Sequence, residues 1–401
     1  MPWGETSVME LRAQFIFDLQ SGEYGMSELC RQYGISRTIG YKWLTRYHDG
    51  GLAALADHSR APVHHPQAIS QEVKAAIEAV KARHCRWGAR KIRRILQQEH
   101  PAWNRYPAVS TIGAYLKEHG LTCPRRRRAT ATPTEPPLTN GQRPNEVWCI
   151  DFKGHFRTRD GRRCNPLTFS DYASRYLLCC QHLDQMTYLL VKMQCERVFR
   201  EYGLPDVIRS DNGAPFAGRG LCGLSRLSYW WIRLGIHPER IAPGQPQQNG
   251  RHERMHRTLK AATARPPARN VKAQQHAFDA FRAEYNHERP HEALALRTPA
   301  ECYCDSPRAL PSRLPAISYP DHMQVRKVFA RGELYYLGTR IFITECLAYE
   351  HVGLEQMDED MSALYYCSYL LGYIDHRKCT VRPVKQRCLA DQRAGQLNTT
   401  T

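Results

Sequence analysis

The sequence predicts a multidomain chain: all-α helix-turn-helix modules at the N-terminus, a central α/β domain with a mixed sheet, and a small β-barrel at the C-terminus. Three observations carry this prediction. Apolar residues recur at helical spacing behind capping residues through residues 7–119; from Glu146 strand-length apolar runs alternate with helical stretches; from His322 short β-rich runs are punctuated by glycine. The 401 residues suffice for several domains, and 42% apolar content allows each an ordinary core, which excludes an intrinsically disordered chain. Lys plus Arg number 57 against 39 Asp plus Glu, a net charge of +18 that attracts polyanions, so nucleic acid is the first partner to expect. An anionic membrane is the weaker expectation: residues 1–8 carry no signal pattern, and no run of about 18 apolar residues occurs. Fifteen scattered cysteines, an odd number with no C-x-x-C pair, point to reduced, mostly buried thiols rather than a disulfide framework or structural zinc site.

The first helix follows from a capping box, Ser7-x-x-Glu10, with Val8, Leu11, Phe15 and Leu19 on one face to about Gln20. A second short helix starts near Ser27, carries Leu29, Cys30 and Tyr33, and breaks at Gly34; Ser36 then caps a third over residues 37–48. This spacing turns Ile35, Trp43, Leu44 and Tyr47 inward and leaves Arg37, Thr38, Tyr41 and Lys42 exposed, the placement by which a helix-turn-helix reads a major groove. A plain three-helix bundle with a solvated basic face is the bland alternative. Residues 1–60 make this domain. A second helical module at 67–122, with helices at 70–83, 89–98 and 109–119, carries Arg90, Lys91, Arg93 and Arg94 outside and reads as a further DNA-binding unit.

Residues 123–145 form a Pro-rich linker whose Arg125, Arg126, Arg127 and Arg128 suit phosphate neutralisation. In the α/β domain, 146–300, strands are expected at 147–152, 167–172, 175–182 and around Val207 and Ile208. Helices are expected at 188–202, 224–234, 247–263 and 274–287. The tail, 320–386, reads as the small β-barrel accessory domain.

Three carboxylates stand out by their settings. Asp151 ends an apolar strand, where an unpaired charge is costly; Asp211 follows a short strand in an Asp-Asn-Gly turn; Glu253 sits on a basic helix. Taken singly, each has a structural reading: a helix-bonded buried Asp, a turn, a solvated partner of Arg257. Together, adjacent strand ends and a crossing helix can converge them on one or two hard divalent cations, Mg²⁺ before others, with Mn²⁺ able to substitute. His256, Arg257 and Lys260, at i+3, i+4 and i+7 from Glu253, would hold phosphate against the metals, and Lys153 and His155 share a strand face with Asp151.

These residues resemble the bacterial insertion-sequence transposases of the DDE class, relatives of retroviral integrase with an RNase H-like core. The resemblance runs from Gly34-Ile35-Ser36-Arg37 through Trp148-Cys149-Ile150-Asp151 and Ser210-Asp211-Asn212-Gly213 to Gln247-Gln248-Asn249-Gly250-Arg251-His252-Glu253 and Tyr285-Asn286-His287. It implies a mixed five-stranded sheet and a catalytic, metal-binding triad of Asp151, Asp211 and Glu253. It further implies Arg257 and Lys260 facing the DNA end, transposon-end and target DNA as partners, a homodimer or higher oligomer on DNA, and a bacterial cytoplasmic protein at the nucleoid. The 42 positions from Asp211 to Glu253 exceed the family's usual separation, which an insertion within residues 217–231 explains. Glu239 is the rival third carboxylate, and Asp171 reads as a turn or supporting residue. Two other functions compete: an inert DNA-binding regulator derived from a transposase, and a zinc metalloprotease, since His252-Glu253-Arg254-Met255-His256 matches H-E-x-x-H. The surrounding Arg251, Arg254, Arg257 and Lys260 would crowd cations around zinc and weigh against the protease.

Overall fold

A computed structural model describes residues 7–57, 69–122, 138–218 and 220–384. Arg125 to Arg128 lie outside these. Two compact units divide the chain, Met1–Lys74 and Ala75–Thr401. In the first, α1 (Val8–Gln20) starts at the Ser7–Glu10 capping box, α2 (Met26–Gln32) ends before Gly34, whose positive φ of 65° makes the sharp turn, and α3 (Arg37–Gly50) starts at a Ser36 cap. Phe15, Ile16, Leu29, Cys30, Trp43 and Leu55 form its core. The inward stripe of α1 is thus shifted from the one expected: Val8 and Leu11 are exposed, and Phe15 and Ile16 face in, because α2 and α3 pack on the C-terminal half of the helix. Arg12 stacks on Trp43 at 3.8 Å and donates to the Leu55 carbonyl, which fixes that half in place.

The boundary falls inside α4 (Gln71–Arg83); in the second unit α5 (Ala89–Glu99) and α6 (Val109–Glu118) follow, with Ile92, Leu96, Ile112 and Leu116 buried. The basic side of α5 is partly engaged. Arg90 pairs with Glu292 at 3.1 Å and Arg93 donates to the Pro107 carbonyl at 3.0 Å. His84 stacks on Trp87 and lies 3.4 Å from Glu284, so these helices dock on the turn that follows the last core helix.

The core sheet is built from β1 (Val147–Phe152), β4 (Pro166–Asp171), β5 (Leu177–His182), β6 (Val207–Ser210) and β7 (His237–Arg240), with a two-stranded hairpin, β2 (Phe156–Arg157) and β3 (Arg163–Cys164), between β1 and β4. Its order is β5-β4-β1-β6-β7, antiparallel on the β5 side and parallel from β1 to β7. This is the mixed five-stranded sheet that the resemblance implied. Its fifth strand, β7, is not among the individual strands expected from the sequence; it carries Pro238, whose missing donor an edge strand tolerates. Helices α7 (Tyr188–Tyr202) and α8 (Arg226–Arg233) cover the face bearing Trp148, Ile150, Leu167 and Phe169. Helices α9 (Gly250–Thr263) and α10 (Val271–Ala283) cover the face bearing Cys180.

The C-terminal part is an antiparallel sheet in the order β14-β13-β12-β11-β8, flanked by the hairpin of β9 (Glu333–Tyr336) and β10 (Thr339–Phe342). Its strands are β8 (Gln324–Lys327), β11 (His351–Gln356), β12 (Met361–Tyr366), β13 (Tyr369–Asp375) and β14 (Thr380–Pro383). The barrel expected from the sequence is not confirmed, since among the described residues no ladder joins β14 to β8. The stretch 217–231, expected to be an insertion, has a packing role. Leu224, Tyr229 and Ile232 enter the C-terminal core, Tyr229 meets Tyr366 edge-on at 5.6 Å, and Arg233 pairs with Glu350 at 2.6 Å.

Candidate functional site

The sheet register aligns the first two carboxylates. In the parallel pair β1–β6, Cys149 is level with Arg209; Asp151 and Asp211 each stand two residues further on, so by the two-residue period they share a face at neighbouring strand ends. Strands in such a pair lie about 5 Å apart. The Asp-Asn-Gly turn then sets Asp211: the Gly213 N–H donates to its Oδ1 at 3.0 Å, and Asn212 Nδ2 donates to the Ile241 carbonyl at 2.7 Å. A Cβ at Gly213 would stand 3.0 Å from Asp211 Oδ2, so the glycine leaves room for the carboxylate.

On the antiparallel side, β1–β4 register places Thr168 beside Asp151 and Ser170 beside Cys149, on the face that α9 covers. The start of α9 is pinned. Gln248 accepts from the Ala242 N–H at 2.7 Å, and Arg251 stacks on Tyr172 at 3.7 Å while donating to its carbonyl. Along the helix His252, Met255, His256, Leu259 and Thr263 face the sheet, and Glu253, Arg257 and Lys260 are exposed. His256 is therefore not one of the cations on the Glu253 face, contrary to the sequence expectation: it is 4% exposed, and burial holds its imidazole neutral, well below the usual histidine range. Its Nε2 and that of His252 both meet Thr168 Oγ1, at 2.6 and 2.8 Å, and His252 Nδ1 meets Ser170 Oγ at 2.6 Å. With both nitrogens of His252 engaged by hydroxyls, the H-E-x-x-H pair is not presented to a cleft as a metalloprotease would need.

Electrostatics bind the candidates together. Burial, then the Asp211 carboxylate, and more weakly Glu253, push the Asp151 carboxyl up to about 7, against a smaller opposing pull from Lys153. Asp211 and Glu253 thus both bear on Asp151. The three carboxylates do not close as a trio to ligand spacing. Among the described residues, the group of three metal-ligating side chains that does is Asp151, His252 and His256, with ligand atoms within 4.8 Å of one another. His256 Nδ1 lies 3.7 Å from Asp151 Oδ2, too long for a hydrogen bond. Lys153, His155 and Lys260 line a small cleft beside this cluster.

The rival carboxylates have structural work. Glu239, 1% exposed, forms a buried ion pair with Arg209 at 2.7 Å and accepts from the Thr139 N–H at 2.9 Å, a pairing that the β6–β7 register sets by placing the two residues level. Asp171 accepts from the Asn145 N–H and from the Ser174 N–H and hydroxyl at 2.6–2.8 Å, closing the turn between β4 and β5. Arg37, Thr38, Tyr41 and Lys42 are exposed on the first turns of α3, as expected. The sequence reading missed the roles of Thr168 and Ser170, although the apolar-and-histidine stripe of α9, at i, i+3, i+4 and i+7, already marked which face meets the sheet.

Two protein-family models described as integrase core domain match residues 141–246 and 234–299; a helix-turn-helix domain model matches 11–62 and a homeodomain-like domain model 39–116. The chain is 27% identical over 248 residues to a 31.7 kDa protein of insertion element IS407 from Burkholderia multivorans, covering 61% of this chain and 86% of that protein. It is likewise 27% identical over 251 residues to a 39.2 kDa protein of insertion element IS476 from Xanthomonas euvesicatoria, covering 60% and 66%. A third similarity, 31% identity over 160 residues, is to the Gag-Pol polyprotein of baboon endogenous virus; it covers 38% of this chain and spans 8% of the polyprotein. The chain thus carries integrase core domains behind helix-turn-helix domains and is related to proteins of the bacterial insertion elements IS407 and IS476.

Proposed function

We propose that this protein is a DNA transposase that binds transposon ends, cuts a strand to expose a 3′-hydroxyl, and joins that hydroxyl to target DNA. The observation that carries the reading is the Asp151 carboxyl, raised to about 7 by burial and by Asp211 and Glu253, an electrostatic load that a divalent cation relieves. Three carboxylates suit Mg²⁺, with Mn²⁺ able to substitute. Bound there, paired ions supply activation of the attacking oxygen and stabilisation of the leaving oxygen in an in-line displacement at phosphorus. Asp151 and Asp211 are the ligands from the strand ends, and Glu253 is the ligand from α9, its exposure leaving the side chain able to turn toward them.

The remaining residues bind and orient. Arg257 and Lys260, on the open side of α9, take the phosphates of the DNA end, and Lys153 lines a cleft together with Lys260. Arg37, Thr38, Tyr41 and Lys42 on α3 contact the end sequence in the major groove. The helices at 71–118 and the Arg125 to Arg128 run add phosphate contacts, and residues 320–386 are an accessory domain. Joining two ends requires at least two copies on DNA. No helix among the described residues is long and apolar enough to cross a membrane. The test is Asp151→Asn: cleavage and joining of a labelled end should vanish while end binding persists. Strands left intact by the wild type, with equal binding in Mg²⁺ and EDTA, would make the protein a DNA-binding regulator instead.

A further inference from the structure

The hydrogen inventory around Thr168 leaves one nitrogen of a buried imidazole with a lone pair and no hydrogen-bond donor among the described residues. Thr168 Oγ1 donates to the Asp151 carbonyl at 3.0 Å, which commits its single hydrogen. Both imidazoles that touch this oxygen must then arrive as donors, so His252 and His256 each carry their proton on Nε2. His252 Nδ1 is satisfied by the Ser170 hydroxyl. His256 Nδ1 is not: it faces Asp151 Oδ2 across 3.7 Å, a lone pair opposite a carboxylate oxygen. Two electron-rich atoms held in this way repel each other unless a proton or a cation lies between them. An ion about 2.1 Å from each would subtend about 120° between them, within reach of ordinary metal geometry after small side-chain shifts.

We infer that His256 Nδ1 is a nitrogen ligand to the cation held by Asp151, so that the site is a mixed nitrogen–oxygen one that prefers a transition-metal ion such as Mn²⁺ to Mg²⁺. The inference rests on the reading of Asp151 as a metal ligand. The surroundings are built for it. Thr168 fixes the imidazole by its far nitrogen, the arrangement by which outer partners set a histidine ligand's tautomer and ring angle. The proton on Nε2 leaves Nδ1 as the donor atom, and the ring is buried against the sheet, so little ordering is needed on binding. Lys153, whose charge reaches Asp151 and both histidines but only partly offsets the load on Asp151, has the neighbouring cleft to turn into when an ion enters. Imidazole ligation favours first-row transition metals over Mg²⁺, which is the source of the preference.

Electron spin-echo spectroscopy of Mn²⁺ bound to the full-length protein tests this without a variant. Modulation from a directly bound ¹⁴N is expected, and bound Mn²⁺ with oxygen ligands alone overturns the inference. In His256→Gln the modulation should disappear and Mn²⁺ affinity fall about tenfold or more, comparable to the loss of even an outer partner. Mg²⁺ affinity should change by less than about twofold, because Mg²⁺ draws mainly on the carboxylates. Undiminished nitrogen modulation in His256→Gln would also overturn it. Asp151→Asn separates the two levels: Mn²⁺ bound as tightly as in the wild type would refute Asp151 as a ligand, whereas loss of Mn²⁺ alongside an oxygen-only wild-type spectrum would refute His256 alone.

Discussion

Asp151→Asn should stabilise the metal-free protein while disabling it. The folded chain holds this carboxyl at about 7 against an ordinary value of 3.8, so the native state keeps the proton longer than the unfolded chain does. Stability is therefore complete below the ordinary value and lost as pH rises through 7, the opposite sign to a salt-bridged aspartate. A shift of about three units corresponds to about 4 kcal/mol lost by pH 8, and to about 2 kcal/mol at pH 5, where most of the folded protein is still protonated. Asparagine removes the charge and keeps the shape. In EDTA at pH 8 the variant should melt higher than the wild type by roughly 10 °C, and the gap should narrow at pH 5. Added Mg²⁺ should raise the wild-type melting temperature and leave that of the variant unchanged. An asparagine variant less stable than the wild type in EDTA at pH 8 would refute the reasoning, because the carboxylate would then be satisfied by Lys153 or a charged His256 and would exert no demand for a metal.

Other perturbations follow from the same geometry. Gly213→Ala puts a methyl 3.0 Å from Asp211 Oδ2, and the displaced carboxylate should weaken Mg²⁺ binding in calorimetric titration with the fold intact. Glu239→Gln leaves the buried Arg209 unpaired and should cost about 3–5 kcal/mol in urea unfolding. The double change Arg209→Met with Glu239→Leu should recover most of that loss, which a metal-binding Glu239 would not permit. Replacing Arg37 and Lys42 by Ala should lower the slope of log affinity against log salt by about 0.9 for each phosphate no longer neutralised, measured by fluorescence anisotropy; replacing Arg125 to Arg128 should do the same, and an unchanged slope would reduce them to solvated charge.

The legible parts of this molecule were those governed by local rules. Ser7, Ser36 and Gly34 marked helix ends by capping and by a positive φ, and the strand at 147–152 announced itself by an apolar run of strand length. What sequence alone left dark depends on register. Arg209 and Glu239 are 30 residues apart and become partners only because β6 and β7 lie level, which turns a candidate ligand into half of a buried ion pair. His256 was assigned by its distance along the helix from Glu253, yet the helix sits on the sheet with His252, Met255, His256 and Leu259 inward, and a solvent-facing cation became a neutral buried ring. The edge strand that carries Pro238 depends on placement too: whether a missing N–H matters depends on which neighbour the strand has.

The central claim is that Asp151, Asp211 and Glu253 meet on a cation beside DNA. Anomalous scattering from crystals of the full chain grown with Mn²⁺ and a duplex of its own terminal sequence tests it most directly. Mn²⁺ density is expected in contact with the carboxylates of Asp151 and Asp211, with Glu253 turned in as the third carboxylate. Density placed elsewhere, or Glu253 still facing solvent with the ion and DNA both bound, would contradict it.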